Sequence, residues 1–326
     1  MNLTSKIILF VCFCLLSVYI VYEHATSGVA VDLATQVERH KNMIAGESEF
    51  FNPWQYRIFS SLVLQLMIDV YNVVAPGKPE IVPYLALSFI QNILIFYLAF
   101  AYYKILGLRN PLLILGGIVV LSYSFASSTF ASDLSFNTYF DVIFYLAAGW
   151  LILTGRYLWI VPLTMIACLN RETCGFIPLM LIIPYVDKKL GGVTRQQWMI
   201  AIGSLVGYAV VFIGVRMYYG YQPALGIHGI TSVTDYLLFN LKFFRMYPEL
   251  IGTFTILPIV VIPGFKKLPV VLQRWFLLIV PFWIVLHLAK STAVETRLFL
   301  VPMALIFVPA FLLLIEEYSE SRKLQG

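Results

Sequence analysis

Charge is what this sequence has least of. Of its 326 residues only 12% are Asp, Glu, Lys or Arg, while 60% are hydrophobic. The mean hydropathy is +0.85. A soluble domain carries roughly 25% charged residues, so there is too little polar surface here to cover a water-soluble globule, and a soluble enzyme is excluded. No polar block is large enough to fold separately, and residues 1–326 read as a single integral membrane domain. Cysteine is scarce too: Cys12, Cys14, Cys168 and Cys174 lie in or beside apolar runs, without the histidine spacing of a zinc site, and read as packing thiols. Phosphate-cradling glycine loops, dinucleotide fingerprints, low-complexity tracts and basic stripes are missing. No organic cofactor and no nucleic-acid partner is expected, and the use of a divalent ion is left open.

What the sequence does have is long apolar runs. Stretches able to cross about 30 Å of hydrocarbon lie near 5–22, 81–103, 110–129, 138–154, 198–219, 249–264, 272–289 and 294–315. The first resembles a signal peptide, with Gly28-Val29-Ala30 as a cleavage-like triplet, but it is as long as a spanning helix and reads as an uncleaved first span. The stretch 157–186 is broken by Asn170-Arg171-Glu172 and reads as two short helices turning there, which brings the expected total to about ten transmembrane helices. Residues 58–75 carry Gln65 and Asp69 and form an amphipathic segment that either spans or lies in the interface.

Basic residues choose between these options, because they collect on the cytoplasmic side. With 58–75 lying flat and the N-terminus cytoplasmic, Lys6, Lys104, Arg109, Arg156, Lys188, Lys189, Arg195, Lys266, Lys267, Arg274, Arg322 and Lys323 all fall inside, twelve of the 22 basic residues. A spanning 58–75 with the N-terminus still inside would flip every later cluster outward, and an eleven-helix arrangement with the N-terminus outside would keep the clusters inside but place 23–57 on the cytoplasmic face, opposite 170–172. The flat reading places 23–80, with its interfacial helices, and 130–137, 170–173, 220–248 and 290–293 on one outer face.

That face holds the chemistry. Ionisable groups at membrane depth cost about 2.5–3.5 kcal/mol each on insertion scales, so those that persist face a cavity or a partner. Asp32 opens a surface helix and serves either as a solvated cap or as a general base. Tyr56 and Arg57 follow an aromatic run at headgroup depth, as an interfacial anchor or as a lipid-phosphate contact. Asp133 and Asp141 flank the start of a span, and Asp141, already inside the apolar run, requires a partner. Asn170-Arg171-Glu172-Thr173 offers an acid–base pair at a helical turn, and Glu295-Thr296-Arg297 repeats the arrangement at the last span. Arg245 and His228 are weaker candidates in the loop between residues 220 and 247, and Gly203 with Gly207 forms a small-residue pair suited to helix packing.

Asp32 in a first outer loop, Tyr56-Arg57 opening an amphipathic helix, Asn170-Arg171-Glu172-Thr173 in a hairpin and Glu295-Thr296-Arg297 before a late span together resemble the bacterial polytopic proteins of the GT-C glycosyltransferase superfamily. The resemblance implies an all-α, GT-C-like polytopic fold with the active face periplasmic; the basic clusters set both termini in the cytoplasm, and short loops without an organelle signal suggest a bacterial inner membrane. The resemblance also implies a polyprenyl-phosphate-linked sugar as donor and a glycan, lipid or protein hydroxyl as acceptor. Asp32 would be the base, Arg57, Arg171 and Arg297 would hold the phosphate, Glu172 and Glu295 would hold their neighbouring arginines, and Asp133 would bind hydroxyls. Two other readings suit buried charges in a multi-span chain: a transporter or flippase for a lipid-linked or anionic solute, and a non-catalytic subunit of an envelope glycan assembly.

Overall fold

The computed structural model describes residues 3–26, 33–45, 54–77, 79–128, 136–186, 191–220, 230 and 232–323. Among these every regular element is helical. In chain order they are α1 (Leu3–Thr26), α2 (Leu33–Ala45), α3 (Ile58–Val74), α4 (Val82–Ile105), α5 (Pro111–Ser127), α6 (Phe136–Leu153), α7 (Ile160–Cys168), α8 (Phe176–Ile182), α9 (Arg195–Tyr219), α10 (Val233–Lys242), α11 (Met246–Phe254), α12 (Leu257–Val261) and α13 (Val270–Lys290). The last, α14, runs over Thr296–Ser321.

Six of them, α1, α4, α6, α9, α13 and α14, are long and apolar enough to cross a membrane. Their burial separates centre from rim. About three-quarters of the apolar window is enclosed in α6 and α14, but only 22% in α1 and α9. The rim helices turn large apolar side chains such as Ile7, Leu15, Val210 and Met217 outward, which is stable only against lipid. The expected span at 249–264 is instead two pieces, α11 and α12. Thr255, at φ 52°, breaks the helix between them and is the one non-glycine residue among those described with a positive φ.

Helix ends are fixed by local chemistry. Asn110 accepts from the amides of Leu112 and Leu113 ahead of Pro111, which suits a first-turn position. Thr194 and Gln197 form a reciprocal capping box at the start of α9.

Proline inside a helix removes an N–H and strands the carbonyl four residues earlier, and in a bilayer no water replaces it. Three such carbonyls are rescued by aromatic donors from other helices. Trp275 Nε1 donates to Met180 O at 2.9 Å, the carbonyl that Pro184 cannot serve. Trp283 Nε1 donates to Leu298 O at 2.7 Å, the partner lost to Pro302. Tyr102 OH donates to Leu305 O at 2.9 Å, the partner lost to Pro309. Beside it Tyr103 OH donates to Ala304 O at 2.8 Å, within the π-helical stretch Met303–Phe307 of α14. These bonds tie α4, α8 and α13 to one another and to α14.

Gly207 lets α7 and α9 approach, since a Cβ there would lie 2.9 Å from Met165 Cγ, while Gly203 faces open space. Only half of the small-residue pair is therefore a packing device.

The two ends of the bundle differ chemically. At one end Arg109 and Lys267 pair with Glu320 and Glu317 of α14. The other end gathers the close of α1, the start of α3, the α7–α8 turn, the close of α9 and the start of α14, and the charged constellation lies there.

Candidate functional site

The α7–α8 turn is built so that consecutive side chains diverge. The amides of Asn170 and Arg171 still bond back to Ala167 O, and then Arg171 takes an extended conformation, φ −163° and ψ 145°. Extended residues send successive side chains to opposite faces. Arg171 points inward and Glu172 points out.

Inward, Arg171 Nη1 lies 3.1 Å from Asp141 Oδ2 on α6, with both side chains almost wholly enclosed. Asn170 Nδ2 donates to Asp141 Oδ1 at 3.1 Å and to Asn137 O at 2.7 Å, and Thr173 Oγ1 donates to Asp141 Oδ2 at 3.3 Å. This is the partner that Asp141 required from its depth in the apolar run. A buried ion pair persists only when its remaining lone pairs and protons are satisfied as well, and three donors converge on this carboxylate.

Outward, Glu172 bridges two arginines. Arg57 Nη2 is 3.1 Å from Oε2, and Arg216 Nη2 of α9 is 3.4 Å from Oε1. The expectation that Glu172 would hold its sequence neighbour Arg171 is thus corrected: the extended backbone at 171 separates the two side chains, and each finds a partner from a distant segment. Arg216 lies over the rings of Phe212 and Tyr56, 3.4 and 4.5 Å from their centroids. Tyr56 OH donates to Gly220 O at 2.8 Å, and the Phe59 amide donates to Leu169 O at 3.0 Å. Together these contacts clamp the start of α3 between the α7–α8 turn and the end of α9.

The second acid–base motif behaves as expected. Glu295 Oε2 receives Arg297 Nη2 at 2.9 Å and Nε at 3.3 Å, while Thr292 Oγ1 donates to Oε1 at 2.9 Å. The charge of Arg297 acts on His24, Tyr139 and Arg171, and the charge of Arg57 acts on Arg171 and His287. Arginines from residues 57, 171 and 297, far apart in sequence, therefore share one neighbourhood. The named groups comprise four guanidinium groups and three carboxylates. Guanidinium forks gathered in this way suit the oxygens of an anionic group.

Arg245 pairs with Glu249 of its own helix at 3.2 Å and is half-exposed. Asp32, Asp133 and His228 lie outside the described residues. Sequence reasoning passed over Arg216, which reads as an ordinary cation at a helix C-terminus. The signal for it was Phe212, one helical turn earlier, together with Tyr56 in the outer loop. Below the arginines, His287 Nδ1 donates to Trp283 O at 2.8 Å and its ring stacks on Trp283. A carbonyl can only accept, so Nδ1 carries the proton, and Nε2 is the lone-pair nitrogen when the ring is neutral. Comparison with protein families, curated proteins and solved structures yields no match to this chain.

Proposed function

We propose that this chain is a membrane glycosyltransferase of GT-C type that moves a sugar from a polyprenyl phosphate to an acceptor hydroxyl on the outer face of a bacterial inner membrane. The observation that carries the reading is the meeting of Arg57, Arg171 and Arg297 at one end of the bundle, with carboxylates fixing each of them. Guanidinium groups bind phosphate oxygens in two-point fashion, and an arginine cluster stabilises a phosphate as it leaves. A lipid phosphate sits at headgroup depth with its chain in hydrocarbon, which matches a charged site flanked by lipid-facing helices. The shorter apolar helices are Ile58–Val74, Pro111–Ser127, Tyr157–Cys168 and Glu172–Tyr185; in the proposed topology the last three and the α11–α12 pair cross as well, ten crossings in all, while α2 and the amphipathic α3 lie in the outer interface. Both termini are then cytoplasmic, as the basic clusters require.

In the proposed reaction Asp32 takes the proton of the acceptor hydroxyl. The acceptor oxygen attacks the anomeric carbon with inversion, and the bond from that carbon to the phosphate oxygen breaks, leaving a phosphate held by the arginines. Purified protein in proteoliposomes, supplied with polyprenyl-phosphate-linked sugars, tests this. Transfer that falls by about 10² or more in Asp32→Asn, with the fold and insertion intact, supports it; transfer at the normal rate rejects the base assignment.

The half-length helices α7 and α8, which meet at a buried polar turn, favour a second reading as a transporter or flippase for a lipid-linked or anionic solute. Movement of a labelled lipid phosphate across the bilayer without sugar transfer would select that reading. Activity only in the presence of other proteins would select the third, a subunit of an envelope glycan complex.

A further inference from the structure

Ser88, Gln91 and Asn92 occupy one face of α4, spaced three and four residues apart, and none is more than 1% exposed. Gln91 Nε2 donates to Phe136 O at 2.9 Å, so this face meets the first turn of α6. The next two residues of α6 are Asn137 and Thr138, also buried, and Asn137 O receives Asn170 Nδ2 from the α7–α8 turn. Among the described residues, seven side-chain atoms in this seam lack a partner: Ser88 Oγ, Gln91 Oε1, both amide atoms of Asn92, Asn137 Nδ2, Thr138 Oγ1 and Asn170 Oδ1. A buried polar atom without a hydrogen bond is costly and rare in native proteins, and inside a membrane bundle no bulk water is at hand to satisfy it.

The chemistry of the set is specific. It holds two amide donors, three carbonyl-type acceptors and two hydroxyls able to do either, with no charge. An anion or cation would leave half of these groups unmatched, and an apolar chain would match none. Hydroxyl groups, which donate and accept at one atom, match the set. Asn170 joins the seam directly to the carboxylate of Asp141.

We propose that the α4–α6 seam is a binding pocket for hydroxyl groups, those of water or of a sugar, which parts to admit them beside the Asp141–Arg171 pair. The pocket does not depend on the transferase reading, because either source of hydroxyl satisfies the same atoms.

The test is cysteine accessibility in membrane vesicles. Full-length Ser88→Cys and Thr138→Cys proteins are treated from the outer side with a cationic methanethiosulfonate, which reacts in water, and modification is read by peptide mass with the native cysteines left in place. Two controls on α4 flank the seam: Ile95→Cys in the dry core and Ile90→Cys facing lipid. The expected result is modification at 88 and 138 at least tenfold faster than at either control. Slowing by glucose, with no slowing by an equal concentration of sodium chloride, assigns the hydroxyls to sugar; no slowing by glucose assigns them to water. Rates at 88 and 138 as low as at 95, in proteins that fold and insert normally, overturn the pocket.

Discussion

Arg171 and Asp141, thirty residues apart in sequence, meet at 3.1 Å with neither side chain more than 5% exposed. That contact joins α6 to the α7–α8 turn and holds one arginine of the site at depth. Removing one partner of such a pair leaves an uncompensated charge and costs about 3–5 kcal/mol. Arg171→Met and Asp141→Leu should each lower the thermal midpoint of the detergent-purified protein sharply. The double variant should recover most of that loss. If the proposed sugar transfer is observed in the parent protein, it should be lost in all three variants, because the neutral pair keeps the packing and discards the cation.

Trp283 and Pro302 should be coupled although their roles differ. Trp283→Phe strips the donor from Leu298 O and is expected to destabilise by about 1–3 kcal/mol. Pro302→Ala in that background restores a helical N–H to the same carbonyl. A double-mutant cycle by thermal unfolding should give a coupling of about 1 kcal/mol in the rescuing direction. Strict additivity would show that the indole bond does not replace the missing amide.

Among the described residues one non-glycine position has a positive φ. Thr255 at φ 52° and ψ −137° lies where only glycine is at ease. Thr255→Gly should raise stability by about 1 kcal/mol, measured as an upward shift in thermal midpoint. A downward shift would mean that the threonine side chain holds the α11–α12 break in place.

The docking of α2 on α3 should weaken in acid. His40 Nε2 donates to Gln65 Oε1 at 2.9 Å, and its ring meets the edge of Tyr84. Burial, opposed by the Gln65 bond and the charge of Asp69, holds its pKa below the usual 6.5. The undocked segment then binds the proton more readily than the docked one, so docking is fully stable above about pH 6.5 and loses stability as pH falls below it. A nitroxide at position 38, on the exposed side of α2, should become more mobile between pH 7.5 and 5. His40→Gln should flatten that response.

Scarce charges in an apolar chain have few places to go: Arg109 and Lys267 meet Glu320 and Glu317 at one end of the bundle, and Arg57, Arg171 and Arg297 meet carboxylates at the other. The sequence also showed that Asp141 needed a partner. It could not show which, since Arg171 and Glu172 are neighbours on paper and a single extended residue sends them to opposite sides of the turn. The bridge from Glu172 to Arg57 and Arg216 depends on three segments folding together, and no local spacing encodes it. The break at Thr255 had a visible signal in Pro258, which takes a first-turn position of α12, but the positive φ at Thr255 and the bond from Ser124 Oγ to Thr253 O at 2.7 Å have no counterpart in local spacing. The aromatic donors that serve the proline-stranded carbonyls were equally unreadable, as each is contributed by a different helix.

The central claim is that the arginines at one end of the bundle hold a lipid-linked phosphate. Its most direct measurement is binding of a polyprenyl phosphate to purified protein by native mass spectrometry, comparing Arg57→Gln and Arg297→Gln with Arg109→Gln at the opposite end. The account predicts that the first two weaken binding at least tenfold, about 1.4 kcal/mol, and that the third leaves it unchanged. Equal binding by all three variants and the parent protein would contradict it.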